Sequence, residues 1–278
     1  YTTAFFHGGY NGTMGFDNFT RKVGYDYYYG MNEYNNKKDY DGNWGIFDEP
    51  FLQYCVKQID TLTKPFHATF FTLSSHHPYA MPEEHKNKFS KGTLIVHETV
   101  SYTDYALKRF FNEASKCDWF ENTLFLITSD HSGLTESKDF KTQLGLFKIP
   151  MIIYHPKMKS NIVSTQFVQQ IDVYPTIIDM LNIENEKIFT FGRSPFSEKE
   201  KYYIYYTNGE YLLMIGNYLS KYKQDGTIEL FDVEKDQTLK NNIANQQQEI
   251  TKKHIRFTQA FIQQYNNTII ENTTTISK

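Results

Sequence analysis

Short apolar runs that stop abruptly in polar, histidine-bearing turns recur along the N-terminal two thirds of this sequence, and they restrict the folds open to it. Phe66 to Leu73 (FHATFFTL) runs into Ser74-Ser75-His76-His77-Pro78. Thr123 to Thr128 (TLFLIT) runs into Ser129-Asp130-His131-Ser132-Gly133. Ile149 to Tyr154 (IPMIIY) is a third run, and Thr2 to Phe6 opens the chain ahead of His7-Gly8-Gly9. Runs of this length and composition read as strands. Between them the period changes. Asp48 to Leu62 puts Phe51, Leu52, Cys55, Val56 and Ile59 on one helical face. Thr93 to Ser115 does the same with Val96, Val100, Tyr105, Ala106, Leu107 and Phe110, and Asp172 to Leu181 starts from an Asp cap. Strands alternating with helices predict an α/β fold with a mostly parallel sheet flanked by helices. In such sheets ligands collect at the carboxyl ends of the strands, where the polar turns lie.

After Glu200 the pattern shifts to short strands: Tyr202–Thr207, Tyr211–Ile215, Leu219–Tyr222 and Ile228–Val233. Asn208-Gly209 and Asp225-Gly226 are hairpin signals, so this is a small antiparallel meander. Gln247 to Tyr265 reads as a closing helix and Asn266 to Lys278 as a polar tail. The expected organisation is an α/β catalytic part over 1–199, a small antiparallel β subdomain with its closing helix over 200–265, and a flexible tail over 266–278.

Composition removes several function classes. Of 278 residues, 29 are Lys or Arg and 32 are Asp or Glu, a net charge of -3. That balance offers no basic excess for nucleic acid. No apolar run approaches the ~20 residues of a membrane-spanning helix. Cys55 and Cys117 have neither framework nor zinc spacing; two packed thiols and a single bridge both stay open. Aromatic residues make up 17%. Carbohydrate binding rests on that figure alone, and core positions are the commoner use of such residues.

Three strand ends carry the candidate chemistry. Asp130 and His131 together offer a carboxylate and an imidazole to one divalent cation; the competing reading is a capping Asp beside a solvated His. His76 and His77 are adjacent and cannot both point the same way from an extended chain. One of them can meet an anionic oxygen or a metal; the competing reading is a turn closed by Pro78. His7 and Asn11 form a donor pair in a glycine-rich loop, HGGYNG, which otherwise reads as a plain turn.

The segments FFHGGYNGTMGFDNF, WGIFDEPFL, TLSSHHPY, SYTDYALKRFF, FLITSDHSG, IPMIIYHP, QIDVYPTIIDML and ELFDVEKD follow one another in an order that resembles the alkaline phosphatase superfamily. The branch it resembles is the lipoteichoic-acid-synthase-like sulfatase family, from Phe5 to about Asp236. The resemblance implies one or two divalent cations (Mn, Mg, Zn or Ca) above a parallel-rich sheet. It also implies a Thr, Ser or modified Cys nucleophile that attacks phosphorus or sulfur. The metal polarises the ester and stabilises the nucleophile's anion. By the same resemblance Asp130 and His131 match the metal pair and His76 the active-site histidine. His7 matches the residue that meets the substrate headgroup, with Asn11 in the same loop. Trp44 faces the site or belongs to the core. Tyr102, Asp104, Asp172 and Asp17 are expected to be structural. The resemblance implies an ester hydrolase or a phosphoglycerol-type transferase: the family branch favours the transferase, whereas Gly9, Met14 and Phe16, where lipoteichoic acid synthases carry Asp, Trp and Arg, favour a sulfatase or phosphatase.

The resemblance implies that the nucleophile and a further acidic ligand lie upstream of Tyr1, and Thr13, QYCVK and SKCDW do not fit a nucleophile context. The chain therefore reads as the C-terminal part of a catalytic domain, with the missing N-terminal segment as its partner and an anionic phosphate or sulfate ester as its substrate. The resemblance also implies an extracytoplasmic domain anchored by upstream helices. The opposing expectation is a catalytically inert fragment or binding module built on the same fold.

Overall fold

In a computed structural model of the chain, residues 1–159, 163–164, 166–184 and 190–273 are described. They fall into two compact units, Tyr1–Glu136 with Ile152–Ser160, and Ser137–Met151 with Asn161–Lys278.

In the first unit the chain runs β1 (Thr2–His7), α1 (Phe16–Val23), β2 (Tyr27–Tyr29), α2 (Met31–Tyr34), α3 (Asp48–Asp60), β3 (Phe66–Phe71), α4 (Val96–Ala114), β4 (Phe125–Thr128) and β5 (Met151–Tyr154). β1 lies between β2 and β3, and both pairings are parallel. All three strands thus end at the same edge, at His7, Tyr29 and Phe71. β4 and β5 form a separate two-stranded sheet. The central position of β1 follows from its side chains. Ala4 and Phe6 are fully buried, and the Phe6 ring stacks on Tyr29 at 4.7 Å and tilts against Phe70 at 5.2 Å.

α3 buries Phe51, Leu52, Cys55, Val56 and Ile59, the face its period predicts. α4 packs through Thr99, Tyr102, Ala106, Phe110 and Ala114. Its phase differs from the expected one: Val100 is exposed, because the buried stripe runs through residue 102 instead. Cys55 and Cys117 are both free thiols, which settles the pairing left open by their spacing. The sequence signals missed α1, α2 and β2. The last is a three-residue Tyr run, too short to show alternation.

The second unit holds α5 (Val173–Met180), a four-stranded meander of β6 (Tyr202–Thr207), β7 (Glu210–Ile215), β8 (Tyr218–Lys223) and β9 (Ile228–Asp232), and α6 (Gln248–Ile270). The order is β6-β7-β8-β9, antiparallel throughout. The β6–β7 turn puts Asn208 at φ 50° and Gly209 at φ 82°, the left-handed pair that an Asn-Gly hairpin provides. α6 runs past the helix end expected at Tyr265. The polar tail expected over 266–278 is therefore helical as far as Ile270, and its residues 274–278 lie outside the described ones.

Candidate active site

The site begins at the carboxyl end of β1. His7 is 1% exposed. Its ring meets Phe16 at 5.0 Å and Phe71 at 5.6 Å, both edge-on. Its Nδ1 is buried without a hydrogen-bond partner, and burial alone pulls its pKa down to about 4. Gly9 closes over it: a Cβ there would stand 2.6 Å from His7 Cε1 and 3.1 Å from the Trp44 carbonyl oxygen. Asn11, paired with His7 in the sequence reading, is engaged elsewhere. Its amide donates to both Glu33 oxygens at 3.1 and 3.0 Å, and its Oδ1 accepts from the Asn32 amide. It ties the glycine loop to α2.

The segment before α3 lies against the same loop. The Ile46 amide donates to the Gly8 carbonyl at 3.0 Å, leaving no space for a side chain at Gly45. This places Trp44 beside the turn after β3. The Trp44 indole N–H donates to the His77 carbonyl at 2.6 Å, and its ring stands 4.2 Å from the exposed ring of His76. His76 Nδ1 lies 2.8 Å from the same carbonyl, which can only accept, so Nδ1 carries the proton and Nε2 is left open.

Asp48 supports this turn from below and was not singled out in the sequence. It is the first residue of α3 and fully buried. Its Oδ1 accepts the Leu73 and Ser74 amides at 2.8 and 3.0 Å, and its Oδ2 accepts the Thr103 hydroxyl at 2.7 Å. Burial pushes its carboxyl up, and these donors oppose the shift. The clue was an Asp opening a helical period in WGIFDEPFL. Asp17 and Asp172 hold local structure: Asp17 pairs with Arg21, and Asp172 accepts the Gln169 and Arg193 amides.

At the end of β4, Asp130 Oδ1 accepts the His131 amide at 2.9 Å. His131 Nδ1 lies 2.7 Å from the Ser132 carbonyl, which can only accept, so Nδ1 donates there. Its Nε2 stands 3.5 Å from Asp130 Oδ2. Two bonds of ~2.1 Å at a tetrahedral angle hold their donor atoms about 3.4 Å apart. The pair therefore fits two neighbouring ligand positions of one divalent cation. Among the described residues no group of three or more His, Cys, Asp or Glu could hold a metal, so the pair offers two ligand positions at most.

The contacts thus bring Trp44 and His76 together, hold His7 between Phe16 and Phe71, and set Asp130 beside His131, while Asn11 serves α2. A family model described as Sulfatase matches residues 1–183. Lipoteichoic acid synthase 1 of Bacillus subtilis is 28% identical over 229 residues, covering 76% of this chain and 36% of that protein. Lipoteichoic acid synthase of Staphylococcus aureus is 24% identical, covering 76% of this chain and 35% of that protein. The chain thus spans about a third of the length of these curated relatives. Among solved structures, an alkaline phosphatase superfamily protein from Vibrio parahaemolyticus aligns with a TM-score of 0.73 at 21% identity, over 86% of this chain and 59% of that one. A lipoteichoic acid synthase from Listeria monocytogenes aligns with a TM-score of 0.64 at 17% identity, over 95% and 70%. At these identities the two structures speak to the fold.

Proposed function

The chain belongs to the sulfatase family, and from that membership we propose that it carries part of the active site of a metal-dependent enzyme that hydrolyses or transfers phosphate or sulfate esters. The observation that carries the reading is the Asp130–His131 pair, whose Oδ2 and Nε2 stand 3.5 Å apart, close to the separation of two adjacent ligands of one cation. A bound cation would supply a Lewis acid for the ester oxygen and stabilise an anionic nucleophile. Its other ligands and the Thr, Ser or modified Cys nucleophile are assigned to sequence upstream of Tyr1.

His76 is assigned to the non-bridging oxygens of the ester. Protonated, it donates from Nε2 while Nδ1 keeps its bond to the His77 carbonyl, so charge develops against an oriented donor. Trp44 sets the plane of that ring and the position of the carbonyl that orients it. His7, closed under Phe16 and Gly9, forms the floor of the loop and reaches a headgroup only if the loop lifts. With Gly9, Met14 and Phe16 in that loop, a sulfate or another phosphate ester suits the site better than phosphoglycerol. Among the described residues no helix is long and apolar enough to cross a membrane, so the extracytoplasmic, anchored location proposed for the whole protein rests on its relatives.

The test is a calorimetric titration of Mn²⁺ and Zn²⁺ into this chain and into a longer one carrying upstream sequence, with Asp130→Ala as control, followed by assays on aryl phosphate and aryl sulfate. Stoichiometric binding lost in Asp130→Ala, with cleavage of one ester by the longer chain, supports the reading. A longer chain that binds no metal and cleaves neither ester overturns it in favour of an inert module.

A further inference from the structure

The second unit contains a cavity of about 610 Å³, a size typical of small-molecule sites. It opens between Ser197–Lys201, the β7–β8 turn at Gly216 and one face of α6 (Ile250, Lys253, His254). His254 lines it while being 1% exposed overall. The His254 Nδ1 lies 2.9 Å from the Ser220 hydroxyl oxygen, and that hydroxyl donates its own proton toward the Leu213 carbonyl at 3.4 Å. Ser220 therefore accepts from Nδ1–H, and the ring's Nε2 is left with a lone pair and no hydrogen-bond partner among the described residues. Burial, with the neighbouring Lys253 charge, holds the pKa of His254 down to about 4, against a smaller opposing pull from Glu200. The group stays a neutral acceptor at neutral pH.

That acceptor decides what the cavity can hold. A phosphate or sulfate oxygen would meet a lone pair, whereas a hydroxyl can donate to it. The rim does not reverse the preference. Lys253 is paired with Glu200 at 2.5 Å, and Lys201 bonds Gln166 and the Pro195 carbonyl. Glu198 and Lys199 add opposite charges at the mouth. Ile215, Ile250 and the half-buried ring of Tyr218 supply apolar wall.

We propose that this cavity binds a neutral polyhydroxylated ligand, a sugar ring or a short polyol, through a hydroxyl donated to His254 Nε2, with a sugar's C–H face lying on Tyr218. The test is nitrogen-15 NMR of His254 in the whole chain, titrated with glucose, N-acetylglucosamine and glycerol, and separately with sodium phosphate and sodium sulfate. The expected result is an upfield shift of the Nε2 resonance with a sugar or glycerol, and none with the anions. Binding should weaken about tenfold in His254→Phe, the weight of one neutral hydrogen bond at the upper end of its range. Tyr218→Ala keeps the test open if His254→Phe fails to fold. It should weaken the sugars and spare glycerol if the ligand is a ring, and spare both if it is a linear polyol. No shift with any hydroxylated probe, or a shift with phosphate or sulfate in their place, overturns the proposal.

Discussion

Asp48 and Ser74 hold each other through two reciprocal hydrogen bonds. The Ser74 amide donates to Asp48 Oδ1 at 3.0 Å, and the Asp48 backbone amide donates to the Ser74 hydroxyl oxygen at 2.9 Å. The first bond fixes the start of the turn that carries His76. The second satisfies one of the amides that a helix N-terminus leaves without an intrahelical partner.

Removing this clamp should loosen the turn and the helix together. Asp48→Ala strands two amides and the Thr103 hydroxyl in a buried place, and is expected to cost about 3 kcal/mol or more. Ser74→Ala removes only the capping oxygen and should cost about 1 kcal/mol. Urea unfolding of both variants checks the order. Equal, near-zero costs would show that the buried carboxylate does not hold the turn.

Gly45→Ala should damage the same region by a different route. A Cβ there would stand 2.5 Å from the Gly8 carbonyl oxygen, backbone that pairs with the Ile46 amide. Backbone cannot yield as a flexible side chain can, so a cost of about 1–3 kcal/mol is expected, typical of overpacking. Gly42→Ala is not a fair control, since Gly42 has a left-handed φ of 86°. Gly133→Ala meets nothing within 4 Å and serves instead. A melting temperature for Gly45→Ala equal to that of Gly133→Ala would refute the close approach.

Acid should destabilise the chain through His7. Its pKa is about 4 in the fold against 6.5 in the unfolded chain. Between these values the unfolded state binds more protons, so stability is complete above pH 6.5 and falls as the pH drops toward 4. His254 carries the same depression in the second unit and adds to the slope. Unfolding midpoints measured across this window should decline less steeply in His7→Gln, and least in the double variant with His254→Gln. An unchanged slope would mean that neither imidazole is held neutral.

Trp44→Phe keeps a ring beside His76 and deletes the indole donor to the His77 carbonyl. That carbonyl then answers to His76 Nδ1 alone. A stability loss of about 1 kcal/mol is expected, the net worth of one hydrogen bond. In an active longer chain, the variant should lower turnover by more than its stability loss accounts for, because it changes the group that orients His76. A loss of stability with turnover of the folded enzyme unchanged would confine Trp44 to a structural role.

Metal should stabilise the fold through Asp130 and His131. A cation that binds only the folded chain adds about 2.7 kcal/mol at a free concentration ~100 times its Kd. Thermal melts with Mn²⁺ or Zn²⁺, before and after chelation, should show this gain in the parent and lose it in Asp130→Ala. A gain that survives the substitution would place the cation elsewhere.

Much of the architecture was legible because its signals are local. FHATFFTL and TLFLIT announce strands by composition, α3 announces its buried face by period, and Asn208-Gly209 announces its hairpin by the left-handed conformation those residues tolerate. β2 was not legible: Tyr27–Tyr29 is a strand because β1 lies beside it, with Phe5 opposite Tyr28 and Phe6 opposite Tyr29. The phase of α4 was half legible. Val100 and Tyr102 both suit a helix face, and only the position of the sheet decides that the tyrosine is buried.

For the site, the sequence by itself determined which residue types stand at the strand ends, since each strand and its polar turn are contiguous in the chain. Tertiary structure alone decided what those residues can do. It buried His7 under Phe16, committed Asn11 to Glu33, set Trp44 against His76, and brought Asp48 to the amides of Leu73 and Ser74. These pairings join residues far apart in the chain, and a hydrogen bond or ring contact needs atoms within a few ångströms. That proximity is a property of packing, which no local pattern of residues encodes.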